Sequence, residues 1–400
     1  MNTLGNHHDK TVLFLLHGYY PNDPRVRRQA EALLRTGFDV QVICTSDNSK
    51  ARRWECDGVK VTEVALAKSR GGILAYGYQY IRMAQLCWRA VREFCSERLP
   101  AFVQVATLPD FLIWGALPAR RKGVPIVLDL HESMPDFFSS KYPGPLSRFV
   151  SRPLRLLEKH CADLADELLT VNDEIASVLE ARLGRRPRVI LNTVDERIFP
   201  WRRSSVAWDS GPKNLAYHGT ITSIYGLDLV LQALPGVLAA HPNTRFHIIG
   251  DGPAKSELEL LTQELGISEA VRFHGSVPLK DISDTLKTIH LGIVPTRKDK
   301  FLTMSLATKL LEYVYLGIPV VASDLAAVKR HFGPGKHLYL FESNNSRDLQ
   351  NVLLRALDAG KAEIQSRVSA ATEIYDSIAW PEMQKKYIAF ARSLAGETTP

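Results

Sequence analysis

A chain of 400 residues is too long for one ordinary hydrophobic core and predicts two domains of roughly 200 residues each. Hydrophobic residues make up 45% and charged residues 23%, which excludes a disordered or repetitive chain. Fifty Lys and Arg against 43 Asp and Glu leave a formal charge of +7. That modest excess suits an anionic partner, such as a nucleotide, a lipid phosphate or an acidic membrane face, without choosing among them.

The five cysteines (Cys44, Cys56, Cys87, Cys95, Cys161) are scattered and form no CxxC pair. A disulfide scaffold and a structural zinc site are therefore not expected, and a reducing cytoplasm is the expected setting. The opening MNTLGNHHDK is polar and has no signal-peptide apolar stretch. No window approaches the roughly 20 apolar residues that span a bilayer, so the reading is soluble or peripheral, with no integral segment.

Residues 11–16 (TVLFLL) predict a buried parallel strand ending at His17-Gly18. Asp23 to Gly37 predicts a helix, with Asp23 or Asn22 as cap, Pro24 in the first turn and Gly37 as C-cap. Residues 38–44 (FDVQVIC) complete a βαβ unit. Later strands are predicted at 59–64, 101–106, 124–129, 167–171 and 188–190, with helices at 76–98 and 145–162. Phe199 to Lys213 is polar, proline-bearing and aperiodic, which places a domain boundary around 198–212. The pattern then restarts: strands at 214–219, 245–252, 271–276, 290–295 and 319–323 alternate with helices at 226–241, 254–265, 281–288 and 305–316. The predicted organisation is an α/β domain over 1–200, a second over 201–378, and a C-terminal helical segment, 379–400, that could pack on either and is placed back on the first.

Open parallel sheets bind ligands beyond the carboxyl ends of their strands. Five such ends carry small or polar groups: His17-Gly18, His131-Glu132, His218-Gly219-Thr220, Gly250-Asp251-Gly252 and His274-Gly275. Glycine admits close backbone approach, and helix N-termini offer free N–H groups to phosphate, although glycine after a strand also makes an ordinary tight turn. No GxGxxG follows the first strand, which counts against a dinucleotide enzyme. Neither a Ser-His-Asp order, an HExxH nor a paired-carboxylate spacing supports hydrolysis.

The segment SLATKLLEYVYLGIPVVAS (305–323) is apolar yet carries Lys309 and Glu312. A charge in such surroundings needs a partner or a ligand. Two readings stay open: Glu312 binding a ribose diol with Lys309 neutralising diphosphate, or a plain i,i+3 ion pair. His131 could meet substrate hydroxyls or be a satisfied core histidine, and Asp129 could orient a neighbour.

Taken together, HGYYPNDPRVRRQAEAL (17–33), LDLHESMPDFF (128–138), YHGTITSIYGLDLVLQAL (217–234), FHIIGDGP (246–253), VRFHGSVP (271–278) and KLLEY (309–313) resemble, in order, the retaining GT-B glycosyltransferases of family four (glycosyl transferases group 1), over residues 11–395. The resemblance implies two Rossmann-like parallel-sheet domains facing across a cleft. It also implies a nucleoside-diphosphate sugar as donor substrate, no metal and no separate cofactor. Carried over, Gly18 approaches the donor phosphates and His131 sits beside the transferred sugar. Gly219, Thr220, Gly250, Asp251 and Gly252 border the donor, main chain near Val277 meets the base, Glu312 holds ribose and Lys309 lies near the diphosphate.

The chain departs from the family in three places. Asn192-Thr193 stands where the family usually has asparagine-glycine. The first glutamate of E-x7-E falls at Met304. An arginine and a lysine usual after the first strand of the second domain correspond to Thr220 and Tyr225, leaving Lys309 with Arg297, Lys298 or Lys300 to neutralise diphosphate.

The expected acceptor is a saccharide, a lipid-linked or a small-molecule hydroxyl, in envelope polysaccharide or glycoconjugate synthesis. A GT-B nucleotide-sugar epimerase and a non-catalytic binding subunit are the alternatives. Arg25, Arg27 and Arg28, with Arg148, Arg152, Arg155 and Lys159, make the N-terminal half basic. An anionic membrane surface is a candidate partner there, giving a cytoplasmic or inner-face peripheral location, against the plainer reading of a solvated face. No module for nucleic acid accompanies the charge.

Overall fold

The run TVLFLL lies in strand β1 (Asp9–Leu16), where Val12, Leu13, Phe14 and Leu15 are wholly buried, as a strand covered on both faces must be. A computed structural model describes the chain except for residues 1–8, 49, 68–72, 142–143, 206–207, 209–210, 300–301, 334 and 398–400. Two units result. One runs to Asn192 and takes in the chain end from Pro381; the other is Thr193–Trp380.

In the first unit β1 is followed by β2 (Asp39–Ser46), β3 (Arg52–Cys56), β4 (Val59–Ala67), β5 (Pro100–Ala106), β6 (Ile126–Leu130), β7 (Glu167–Thr170) and β8 (Arg188–Val189). They form one sheet in the order β3-β4-β2-β1-β5-β6-β7-β8, parallel throughout except for the β3–β4 hairpin. Asp57 (φ 50°) and Gly58 (φ 83°) turn that hairpin, the paired left-handed conformation that an Asp-Gly loop favours. The helix Pro24–Arg35 is capped by Asp23, whose side chain accepts from the Arg25 and Val26 amides. Winding reverses between β1 and β5, so the switch point lies at the ends carrying His17-Gly18 and Ala106-Thr107.

The second unit holds β9 (Asn214–His218), β10 (Arg245–Ile249), β11 (Val271–Gly275), β12 (Leu291–Val294), β13 (Val320–Ser323) and β14 (Tyr339–Phe341). The order is β11-β10-β9-β12-β13-β14, all parallel, with its switch point between β9 and β12. One core layer is built around Leu215, Tyr217, Phe246 and Val230, the other around Leu310, Leu311, Val314 and Phe332.

Two expectations about extent change. The helix predicted at 305–316 spans Thr308–Tyr315, preceded by a separate 3-10 turn, Leu302–Met304. The stretch 199–213, read as a linker, packs on the second unit: Phe199 and Trp208 are buried in its two core layers, and the Arg203 amide donates to Leu316 O at 3.2 Å. Its polarity hid these aromatic anchors, and the division falls earlier, after Asn192. The last helix, Trp380–Leu394, continues into the chain end that belongs to the first unit. No helix among the described residues is long and apolar enough to cross a membrane.

Candidate functional site

The candidate cluster of the second unit is built from β12 upward. Gly292 has no side chain, and a Cβ there would lie 2.5 Å from the Tyr313 ring; glycine thus lets the helix Thr308–Tyr315 settle on the sheet. Tyr313, fully buried, donates from Oη to Ala216 O of β9 at 3.0 Å, which fixes the rotation of the helix. Lys309 lies four residues earlier and so shares that face. It is carried to the end of β9, at the switch point.

There Lys309 Nζ donates to Tyr217 Oη at 2.7 Å and lies 4.0 and 4.2 Å from the ring centroids of Tyr217 and Tyr225, two cation–π contacts. Tyr217 Oη in turn donates to Thr220 O at 2.7 Å. Burial pulls the Lys309 pKa down to about 7, against the opposing pull of Glu312. Burial, with Tyr225 adding to it, pushes the Tyr217 phenol far above its usual range, so that hydroxyl stays protonated and donates. Glu312 Oε2 meets His218 Nε2 at 2.5 Å. His218 is buried and packs edge-on against Tyr313, with ring centroids 4.8 Å apart.

The glycines around this cluster make room for main chain. Gly219 has φ +124°, and a Cβ on it would come within 2.9 Å of Lys309 Nζ. A Cβ on Gly250 would fall 1.9 Å from Gly219 O, and one on Gly252 2.1 Å from Ile221 O. The two loops are laced by Gly219 N to Ile249 O and Ile221 N to Asp251 O, both 2.9 Å. Packing of loop on loop therefore already requires Gly250 and Gly252. Gly250→Ala, at φ +147°, is expected to lower stability by about 1–3 kcal/mol, seen as a drop in the thermal midpoint.

Of the other residues singled out from sequence, Thr220 and Asp251 are exposed. Thr220 enters the cluster through its carbonyl, while Asp251 Oδ1 accepts from the Gly252 amide at 2.8 Å. Val277 is half-buried against the second core layer. Arg297 is committed elsewhere: it pairs with Asp228 and donates from Nε to Ser223 O at 3.2 Å. Lys298 is exposed, and Lys300 lies outside the described residues.

In the first unit, His131 follows β6. Its Nε2 stands 3.2 Å from Asp129 Oδ2, both side chains only 2% exposed. That carboxylate accepts from Gln104 Nε2 at 2.8 Å and Gln29 Nε2 at 3.2 Å. Gln104 Oε1 accepts from Tyr387 Oη at 2.6 Å. Burial opposes the Asp129 charge, but His131, Gln29 and Arg25 outweigh it and hold its pKa below the ordinary carboxylate value. Asp23 is likewise opposed by burial yet held near 2, chiefly by Arg25, with which it pairs at 3.0 Å. Burial pushes Glu132 up, against the pull of Arg25 and His131. His131 Nδ1 is buried and has no hydrogen-bond partner among the described residues. At Gly18 a Cβ would meet only Leu16 carbons at 3.7 Å, an ordinary contact, so local packing does not demand glycine there. Among the described residues no group of three or more His, Cys, Asp or Glu is arranged to hold a metal ion.

Sequence reading did not single out Tyr217 as lining the cluster, His218 as the partner of Glu312, or the Gln29, Gln104 and Tyr387 supports of Asp129. The His-Gly pair ending β9 was the available signal for His218. The others carry no local signature.

Comparisons with known proteins bear on both units. Residues 23–193 match the family model described as glycosyl transferase 4-like domain, and residues 201–373 the one described as glycosyl transferases group 1. The 2-deoxystreptamine glucosyltransferase of Streptomyces kanamyceticus is 23% identical over 361 residues, covering 85% of this chain and 83% of that protein. Among solved structures, sucrose-phosphate synthase of Thermosynechococcus elongatus superposes with a TM-score of 0.78 at 14% identity, covering 96% of this chain and 99% of that one. Anabaena HepE, in complex with UDP, does so with a TM-score of 0.69 at 14% identity, covering 96% and 100%. At such identities the superpositions speak for the fold, and the fold they share is GT-B.

Proposed function

The chain belongs to the glycosyl transferase 4-like family of glycosyltransferases, and from that premise we propose that it moves a sugar from a nucleoside-diphosphate sugar to an acceptor hydroxyl, with retention at the anomeric carbon. The observation that carries the proposal is the meeting of a half-buried lysine and a carboxylate, Lys309 and Glu312, with the β9 strand end at a topological switch point. UDP in HepE supports a nucleoside diphosphate as the occupant. Lys309 and loop N–H groups would take the diphosphate, Glu312 Oε1 would accept from the ribose diol, and main chain near Val277 would meet the base.

On this reading the bond from the anomeric carbon to the diphosphate oxygen breaks, its electron pair leaving on that oxygen. The charge so developed is stabilised by Lys309, a group already in place before the reaction. The acceptor oxygen bonds to the same face of the anomeric carbon, and its proton passes to a donor phosphate oxygen. His131 would meet sugar hydroxyls through Nδ1, its ring oriented by Asp129. At Met304, where the resemblance would place a glutamate, the thioether would lack the strong acceptor that a carboxylate gives a sugar hydroxyl, and a subgroup of distinct donor preference would follow.

Asp129→Asn tests the orienting role. It is expected to cost about 1–3 kcal/mol of stability, because the Gln29 and Gln104 amides lose a charged acceptor. Turnover should fall while the KM for donor barely moves, whereas a merely structural role would leave the turnover of folded protein unchanged. The overall proposal is tested by incubating the protein with a panel of sugar nucleotides, with and without saccharide and polyprenyl-phosphate acceptors. A product with the donor's anomeric configuration, read by NMR, supports it. Epimerised donor without acceptor, or donor binding with no product across the panel, overturns it.

A further inference from the structure

The helix Pro145–Asp163 has two faces of opposite character. Inward, Glu158, Cys161 and Ala162 are buried, and Ser133 Oγ donates to Glu158 Oε1 at 2.9 Å, tying the helix to the segment just past His131. Outward, Phe149 is 83% and Leu156 71% exposed. Seven residues make nearly two turns, so these side chains stand on one face about 10 Å apart. Arg152 and Lys159, each three positions on, flank them, and Arg155 lies at the margin of the same face; all three are exposed.

Single exposed apolar residues are unremarkable. Two large ones in helical register beside three cations form a patterned surface. The acid on this face, Asp163, is paired with Lys159 at 3.7 Å, while Arg152 and Arg155 have no acidic partner among the described residues. The first-helix arginines differ, being held by Asp23, Glu31 and Asn192. The side chain of Arg148 lies outside the described residues.

We propose that this face docks on a bilayer surface rich in anionic phospholipid. Phe149 and Leu156 enter the boundary between headgroups and acyl chains, and Arg152, Arg155 and Lys159 meet lipid phosphates. Charge chooses the occupant. A second copy docked face to face through the same patch would set arginine against arginine, whereas an anionic surface with an apolar interior complements both halves of the pattern. The inference stands apart from the transfer chemistry, because binding is measured with neither donor nor acceptor present.

The test floats the full chain with vesicles of phosphatidylcholine alone and of phosphatidylcholine mixed with phosphatidylglycerol. Binding is expected only to the mixed vesicles, weakening as salt rises. Arg152→Glu with Arg155→Glu, and separately Phe149→Ser with Leu156→Ser, are each expected to weaken binding about ten-fold or more. Unchanged thermal midpoints show that the variants fold. Absence of binding to mixed vesicles at low salt, equal binding to both vesicle types, or wild-type affinity in both variants overturns the proposal. So does self-association in solution that Phe149→Ser with Leu156→Ser abolishes, since the face would then belong to a second copy.

Discussion

Lys309→Met is expected to lower kcat by about 10²–10³-fold, the loss typical when one preorganised group facing a developing negative charge is removed. Among the described residues Arg297 is held by Asp228, and Thr220 and Tyr225 beside the lysine carry no charge. Methionine keeps the apolar stem that packs between Tyr217 and Tyr225, so the fold should persist and the loss should appear in kcat.

A pH effect accompanies it. With the pKa of Lys309 drawn down to about 7 by burial, the unbound lysine gives up its proton near neutrality, whereas a bound diphosphate holds that proton to higher pH. Between those two values donor binding takes up a proton. Affinity therefore falls as pH rises above 7, by up to about ten-fold per unit, and is flat well below it. Stability of the unbound protein runs the other way: above pH 7 the unfolded chain keeps the proton that the folded state has released, so this lysine's penalty shrinks as pH rises. Glu312, Tyr217, Tyr225 and His218 also face the cluster, so the assignment rests on comparison. Donor KM in Lys309→Met should lose the slope that wild type shows. A slope that persists would assign it to another group.

Glu312→Ala is expected to raise donor KM by about 10–100-fold, from loss of charge-assisted hydrogen bonds to the ribose. It also frees the buried His218 imidazole from its carboxylate partner, so a fall in KM performance alone could reflect collapse of the loop. A donor lacking the ribose 2′-hydroxyl separates the two. Wild type should discriminate strongly against it, and Glu312→Ala should hardly discriminate at all, the non-additivity that marks a direct contact. Equal discrimination by both proteins would remove Glu312 from the ribose.

Much of the fold was legible because its signals are local. Buried apolar runs give both parallel sheets, and Asp23 before Pro24 gives the first helix its cap. The edge strand of the Asp57-Gly58 hairpin is harder to read, because Arg52–Cys56 is short and largely polar, with only Trp54 and Cys56 turned inward. In the candidate cluster of the second unit, Lys309 and Glu312 could be singled out as charges in an apolar run. Their partners could not, since His218 and Tyr217 lie over ninety positions away in sequence and meet them only once Gly292 lets Tyr313 rest on the sheet. The glycines at 250 and 252 show the converse. Read as room for ligand, they are also required by the close approach of the Gly219 and Ile221 carbonyls.

The buried hydroxyl of Tyr387, reaching Gln104 from the final helix, has a consequence for biogenesis. Chains are made from the N-terminus, and leading domains generally fold first. Here the unit that runs to Asn192 stays unfinished until the segment from Pro381 leaves the ribosome, after the whole of Thr193–Trp380. An excised 1–192 fragment would leave the Gln104 amide oxygen buried without its donor, and with it the amide that Asp129 accepts from would lose its anchor.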